Sequence, residues 1–299
     1  MKPIDFHSIS LDPLFFNYSC NNDVDFFILR LDKMHDEISG NKWFKLRYYV
    51  DDAIAQHKQT IITFGGAWSN HLLATAAYCQ SKNLTAVGIV RGEKPAYLSY
   101  TLKRAGELGM KLFFVSRNDF QEKIMPAELK AISDDAYIID EGGYGMKGTD
   151  GAATISRYYK ENEFSHICCA VGTGTMVAGL IKASTPQQTI TGFSVLKNNR
   201  SIEKEITTLL TNEKINNHSI IHDYHFGGYA KKNHLLIEFM NRFYSETSIP
   251  TDFVYTAKMV YGVFDLANKN FFAPGSRVLL IHSGGLQGNN SLPQGTLIF

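Results

Sequence analysis

The chain has 299 residues, 44% hydrophobic and 20% charged, enough apolar sequence for one large or two modest folded units and unlike a disordered chain. Lys and Arg total 30 against 29 Asp and Glu, a net charge of +1 that gives no basic footprint for nucleic acid or an anionic membrane. The opening MKPIDFHSIS lacks the apolar core of a signal peptide, and no stretch approaches the roughly 18 apolar residues of a membrane span. Cysteines at 20, 79, 168 and 169 include no Cys-x-x-Cys pair and read as buried thiols, so a cytoplasmic location is expected.

Alternating strand-like and helix-like runs begin near residue 60. Thr60–Phe64 is a β-rich run ending in Gly65-Gly66; Ser69 or Asn70 caps a helix through Gln80. Leu84–Val90 reads as a strand, Ser99–Leu108 as a helix and Lys111–Val115 as a strand. Met125–Ile132 reads as a helix with Pro126 in its first turn, and Tyr137–Ile139 as a short strand. The pattern restarts with a helix over Gly151–Lys160, a strand over Ser165–Val171 and a helix over Met176–Ala183. Thr189–Val195 and Ser219–His222 are strands flanking a helix over Ile202–Leu210. Asn233–Tyr244 and Lys258–Asn268 are helical, and Arg277–His282 is the last strand. Continuous apolar strands between helices predict open parallel sheets covered on both faces. The fold class expected is α/β with two such units, a smaller one over 47–148 and a larger one joining 1–46 to 149–299.

Ligands in open α/β sheets bind beyond the carboxyl ends of strands, which here carry Gly65–His71, Gly172–Thr175 and His282–Gly285. Gly172-Thr173-Gly174-Thr175-Met176 stands between a strand and a helix, where converging backbone N–H groups favour an anion such as phosphate. A dinucleotide site is a rival, but Val177 stands where a third glycine is expected, and no P-loop lysine follows. Lys42, after Gly40-Asn41, opens an amphipathic run; alone it reads as a solvated lysine, but beside a phosphate loop it is a Schiff-base candidate. Ser69 and Asn70 suit either capping or chemistry. His71 suits packing or hydrogen-bonding support, and with no partner at ligand spacing no metal is expected. No Gly-x-Ser-x-Gly elbow supports a serine hydrolase.

Together, Gly40-Asn41-Lys42-x-x-Lys45-Leu46, Ser69-Asn70-His71, Gly172-Thr173-Gly174-Thr175 with Ala178-Gly179, Tyr255-Thr256-x-Lys258 and His282-Ser283-Gly284-Gly285 form an ordered set. From about residue 25 to 290 the chain resembles the 1-aminocyclopropane-1-carboxylate deaminase and D-cysteine desulfhydrase family, pyridoxal-phosphate enzymes of the tryptophan-synthase-β fold class. The resemblance implies that Lys42 holds the cofactor as a Schiff base and that Asn70 lies beside its phenolic oxygen. It implies that Gly172, Thr173, Gly174, Thr175 and Met176 cradle its phosphate, and that Thr256 partners the pyridine nitrogen. Ser69 would contact the substrate carboxylate or take part in proton transfer, and Tyr229 and Tyr255 would line the substrate pocket. It also implies a small amino-acid substrate and a homodimer.

The resemblance places Thr256 and Ser283 where cyclopropane-opening deaminases carry Glu and Leu, and where D-cysteine desulfhydrases carry Thr at both. That implies a desulfhydrase-like β-elimination giving a 2-oxo acid and ammonia. Ring-opening deamination, cofactor binding without turnover and, more distantly, a nicotinamide oxidoreductase are the alternatives. Trp43, Phe44 and Trp68 depart from the family pattern and are expected to reshape the pocket or exclude substrates from it.

Overall fold

The computed structural model describes residues 3–17, 23–38, 40–211, 215 and 217–299; Cys20 lies outside them. Strands β1 (Leu11–Pro13) and β2 (Val24–Arg30) precede helix α1 (Asn41–Ala55). Then come β3 (Thr60–Gly65), α2 (Asn70–Ser81), β4 (Thr85–Arg91), α3 (Tyr100–Glu107), β5 (Lys111–Val115), α4 (Arg117–Gln121), α5 (Lys130–Ser133) and β6 (Tyr137–Ile139). The remainder runs α6 (Met146–Ala153), β7 (His166–Val171), α7 (Thr175–Ala183), β8 (Thr189–Ser194), α8 (Ile202–Leu209), β9 (His218–Ile221), α9 (His234–Thr247), α10 (Thr256–Asn268) and β10 (Ser276–His282).

These strands form two open sheets, one ordered β1-β2-β10-β7-β8-β9 and the other β5-β4-β3-β6. Every pairing is parallel except β1 with β2, an antiparallel edge. Both faces of the larger sheet are covered, as continuous apolar strands require. Cys169 and Val171 point toward Met176, Val177, Leu180 and Ile181 of α7. Cys168 and Ala170 point the other way, toward Met259, Val260 and Val263 of α10. The two adjacent cysteines therefore face opposite cores, the period-two consequence of a strand. Burial raises both thiols, Cys169 to about 12.

Three expectations are corrected. Two strands precede residue 60, and β1 breaks the all-parallel pattern by capping an edge. The helix expected over Met125–Ile132 is a 3₁₀ turn at Ala127–Leu129 followed by the four-residue α5; Pro126 is extended (ψ 142°) and sits before the turn. The helix expected over Gly151–Lys160 is instead α6, with 3₁₀ geometry over Thr154–Tyr158. Glycine content hid α6, because tertiary packing overrides poor helix propensity. A Cβ on Gly151 would lie 1.9 Å from the Phe44 carbonyl oxygen, so only glycine lets α6 press against α1. Helix α1 spans residue 47 and serves both cores, burying Phe44 in one and Leu46, Tyr49, Val50 and Ala53 in the other.

Candidate active site

Three strand ends meet the start of α1. Gly40 caps α1 with φ 64°, and a Cβ there would fall 1.8 Å from the Ser283 carbonyl oxygen. That carbonyl accepts the Asn41 N–H at 3.2 Å, tying the turn after β10 to the first turn of α1. A Cβ on Gly285 would lie 2.3 Å from Nδ2 of Asn70, so the Asn70 amide rests on bare backbone. Ser69 caps α2, its Oγ accepting the Leu72 N–H at 3.3 Å. Gly174 caps α7 at φ 79°, a left-handed turn that suits glycine. These turns enclose a cavity lined by Lys42, Lys45, Ser69, Asn70, His71, Gly172, Thr173, Gly174, Met176, Tyr229, Tyr255 and Ser283.

The cavity is built for an anion. Lys42 and Lys45 lie one turn apart on α1 and both reach it. Burial lowers the Lys42 amine from 10.5 to about 8, partly opposed by Asp252. The Lys45 amine is held well below its ordinary value by burial and by Lys42; it donates to the Gly142 carbonyl at 3.2 Å. Across the cavity, the α7 N-terminus presents unsatisfied N–H groups and the positive end of its dipole. Thr173 and Thr175 share a hydroxyl contact of 3.1 Å at that turn.

The polar groups on the wall are fixed from behind. Thr63 Oγ1 donates to the Ile139 carbonyl at 2.7 Å, so it accepts from His71 Nε2–H at 2.8 Å. That leaves Nδ1 of His71 as a bare acceptor, and burial with Lys42 and Lys45 keeps the ring neutral. Nδ1 of His71, Oδ1 of Asn70 and Oε1 of Gln287 are buried without partners, and all three residues line the cavity. Orphaned buried acceptors are costly, so three on one wall mark a place for donors from a ligand. Tyr255 and Tyr229 meet edge-on at 6.0 Å, with the Lys42 amine 5.9 Å from the Tyr255 ring centre. Burial pushes the Tyr255 phenol well above its ordinary value.

Two buried charges hold the tyrosines in place. Asp252 accepts the N–H groups of Val254, Tyr255 and Thr256 and the Thr256 hydroxyl, all at 2.8–2.9 Å. Lys258 donates to the carbonyls of His225 (2.9 Å) and Gly228 (2.7 Å), anchoring the loop that delivers Tyr229.

Most residues singled out from sequence converge on the cavity; Thr175 and Thr256 do not line it. Both side chains are fully buried behind the wall, the Thr256 hydroxyl engaged with Asp252. The expectation that bulky aromatics crowd the pocket is also corrected. Trp43 packs on Phe6 (4.7 Å), Phe44 (5.0 Å) and the Arg47 guanidinium (4.9 Å), and neither it nor Phe44 lines the cavity. Trp68 borders only an outer cleft. Sequence reasoning missed Arg91, Glu141, Asp252 and Gln287. The Asp252-x-x-Tyr255-Thr256 spacing before α10 is a capping signal that points to Asp252; nothing local marks the others.

The fold and this cavity define an enzyme that holds an anionic cofactor beside a half-buried lysine. Residues 16–284 match the family described as pyridoxal-phosphate dependent enzyme. The chain belongs to that family, and its cofactor is pyridoxal 5′-phosphate. It is 30% identical to a putative 1-aminocyclopropane-1-carboxylate deaminase of Pyrococcus abyssi, covering 89% of this chain and 86% of that one. It is 28% identical to a bifunctional D-cysteine desulfhydrase/1-aminocyclopropane-1-carboxylate deaminase of Arabidopsis thaliana, a mitochondrial protein, over 89% of this chain and 74% of that one. A crystal structure of an ACC deaminase homologue superposes with a TM-score of 0.79 at 25% identity, covering 96% of this chain and 93% of the other. Among the described residues, no helix is long and apolar enough to cross a membrane.

Proposed function

We propose that the protein is a lyase of the D-cysteine desulfhydrase type, removing a β-substituent from a small amino acid to leave a 2-oxo acid and ammonia. The observation that carries this reading is the Lys42 amine, tuned to about 8 and facing a glycine turn at a helix N-terminus across one cavity. The residues fit the cofactor. Backbone N–H groups of Gly172–Thr175 would hold its phosphate, Asn70 its phenolic oxygen, and Lys42 its aldehyde carbon. Once bound, the cofactor supplies an electron sink for negative charge at the substrate Cα.

The rest falls to the chain. Lys42 would remove the Cα proton; an amine near pKa 8 is well matched to that work. The Ser69 hydroxyl, already accepting from Leu72, keeps its own proton to donate to the substrate carboxylate. The Tyr255 phenol, kept protonated by burial and paired with the Tyr229 hydroxyl, would line the path of the departing group. Thr256 is the candidate partner of the ring nitrogen; its hydroxyl stands behind the wall, accepting the Asp252 N–H and donating to the Asp252 carboxylate, both at 2.8 Å. A neutral hydroxyl stabilises a protonated ring less than a direct carboxylate does, which suits loss of a thiolate.

D-cysteine is expected to give sulfide and pyruvate with a kcat/KM at least about tenfold above that for 2-oxobutanoate release from 1-aminocyclopropane-1-carboxylate. That ratio needs only about 1.4 kcal/mol of differential transition-state stabilisation. Efficient 2-oxobutanoate release without sulfide would replace this reading with cyclopropane ring opening, the activity in the names of the relatives. Turnover of neither substrate, with the cofactor band insensitive to amino acids, would indicate cofactor binding alone.

The Lys42 amine also sets a pH dependence. Only its deprotonated form would be nucleophilic toward an aldehyde, and its pKa lies below the ordinary 10.5. Covalent uptake of pyridoxal phosphate by the apo-protein should therefore accelerate as pH rises, with a midpoint near 8. Stopped-flow absorbance across pH 6–11 reads this directly; a midpoint near 10.5 would mean the amine is not desolvated.

A further inference from the structure

The active-site cavity shares Gly66, Arg91, Glu141 and Tyr229 with an outer cleft that continues to Trp68, Arg117, Phe120 and Lys123. Gly65 pairs with Val90 across β3 and β4, which sets Arg91 beside Gly66 at the same sheet end that carries Ser69 and Asn70. A Cβ on Gly66 would lie 3.5 Å from Nη2 of Arg91, so the guanidinium lies across bare backbone. Its central carbon lies 5.5 Å from the Phe120 ring centre. Among the described residues the Arg91 guanidinium has no carboxylate within ion-pair distance, whereas Lys123 is already paired with Asp140 at 2.7 Å. Arg117 adds a second positive charge on the same cleft. Glu141 opposes them from the cavity side, but burial raises its carboxyl, with Arg91 and Lys123 pulling the other way. Arg91 and Arg117 are two positive charges against the single Glu141 carboxyl along the shared wall and cleft.

The phosphate cradle and the Ser69–Asn70 turn account for the cofactor anion and the substrate α-carboxylate, leaving Arg91 for a third anionic group. We propose that Arg91, backed by Arg117, binds a negatively charged group at the far end of the substrate, so the enzyme selects amino acids with an anionic β-substituent over neutral ones of equal size. This rests on the lyase reading and names the substrate class within it. A guanidinium on an aromatic face presents a planar fork to such an anion while losing little side-chain entropy.

Aspartate and asparagine test this, because they share a shape and differ in charge. Each enantiomer is titrated into the holoenzyme by calorimetry. For the better-bound enantiomeric series, aspartate should bind at least about tenfold tighter than asparagine, a difference of about 1.4 kcal/mol. Arg91→Gln should bring the ratio within about twofold, and Arg91→Lys, which keeps the charge, should restore a preference for aspartate. Equal affinities in the wild type, a ratio that survives Arg91→Gln, or no binding of either ligand would overturn the proposal. Sulfide release from D-cysteine, measured separately, tests the reaction: sulfide without an aspartate preference removes only the Arg91 assignment. An aspartate preference without any elimination removes only the lyase reading.

Discussion

Lys42→Ala is expected to lower turnover by at least about 10³-fold, the loss that follows when one residue both anchors the cofactor and moves the Cα proton. Lys45 lies one turn away on the same cavity, also buried and also depressed, so chemistry alone does not separate the two. Geometry does. The Lys45 amine donates to the Gly142 carbonyl at 3.2 Å, which fixes it to the turn after β6. Among the described residues, the Lys42 amine hydrogen-bonds only to the side chain of its neighbour, Asn41 Oδ1, at 2.9 Å and faces Tyr255. Borohydride reduction of the holoenzyme followed by peptide mapping should label Lys42. Lys45→Ala should keep that label. A label on Lys45, or a Lys42→Ala protein with wild-type turnover, would reverse the two roles.

Gly172→Asp is expected to weaken pyridoxal phosphate binding by about a hundredfold. A carboxylate facing a phosphate across a few ångströms costs about 3 kcal/mol at the effective dielectric of a partly buried site. Gly172 is the better position for this test than Gly174. A Cβ at Gly172 meets the Tyr255 ring at 3.4 Å, ordinary contact, whereas Gly174 has φ 79° and a Cβ there would lie 3.0 Å from Ile206. Gly174→Asp would therefore disturb the fold as well as the charge. Cofactor affinity from absorbance titration, with circular dichroism to confirm folding, is the measurement. Unchanged affinity in a folded Gly172→Asp protein would move the phosphate elsewhere.

Position 256 is where sequence and structure differ most in consequence. A threonine at 256 reads from sequence as a neutral group in place of a carboxylate. In the fold its hydroxyl lies 2.8 Å from the buried Asp252, which also gathers three backbone N–H groups at the start of α10. The carboxylate is thus one hydrogen bond further back, behind the Thr256 hydroxyl.

The chain order of elements was legible because it depends on local periodicity: apolar runs such as Ile61–Phe64 and Val278–Ile281 are short, continuous and closed by glycine turns. The same logic located Lys42, Ser69, Asn70 and Gly172–Gly174, each at a strand end or a helix start where function gathers in open sheets. The glycine-rich α6 was not legible, since its stability comes from close approach to α1 and not from its own propensities. Nor were the residues that meet only through strand order. Arg91 ends β4, Glu141 follows β6 and Tyr229 lies in the loop after β9, yet β4 and β6 flank β3 and bring the first two to one wall. Periodicity states which face of an element is buried, but only the packing of sheets against helices states which faces meet. That is why Trp43, beside Lys42 in sequence, packs against the core, while Gln287 and His71 point into the cavity with acceptors unpaired.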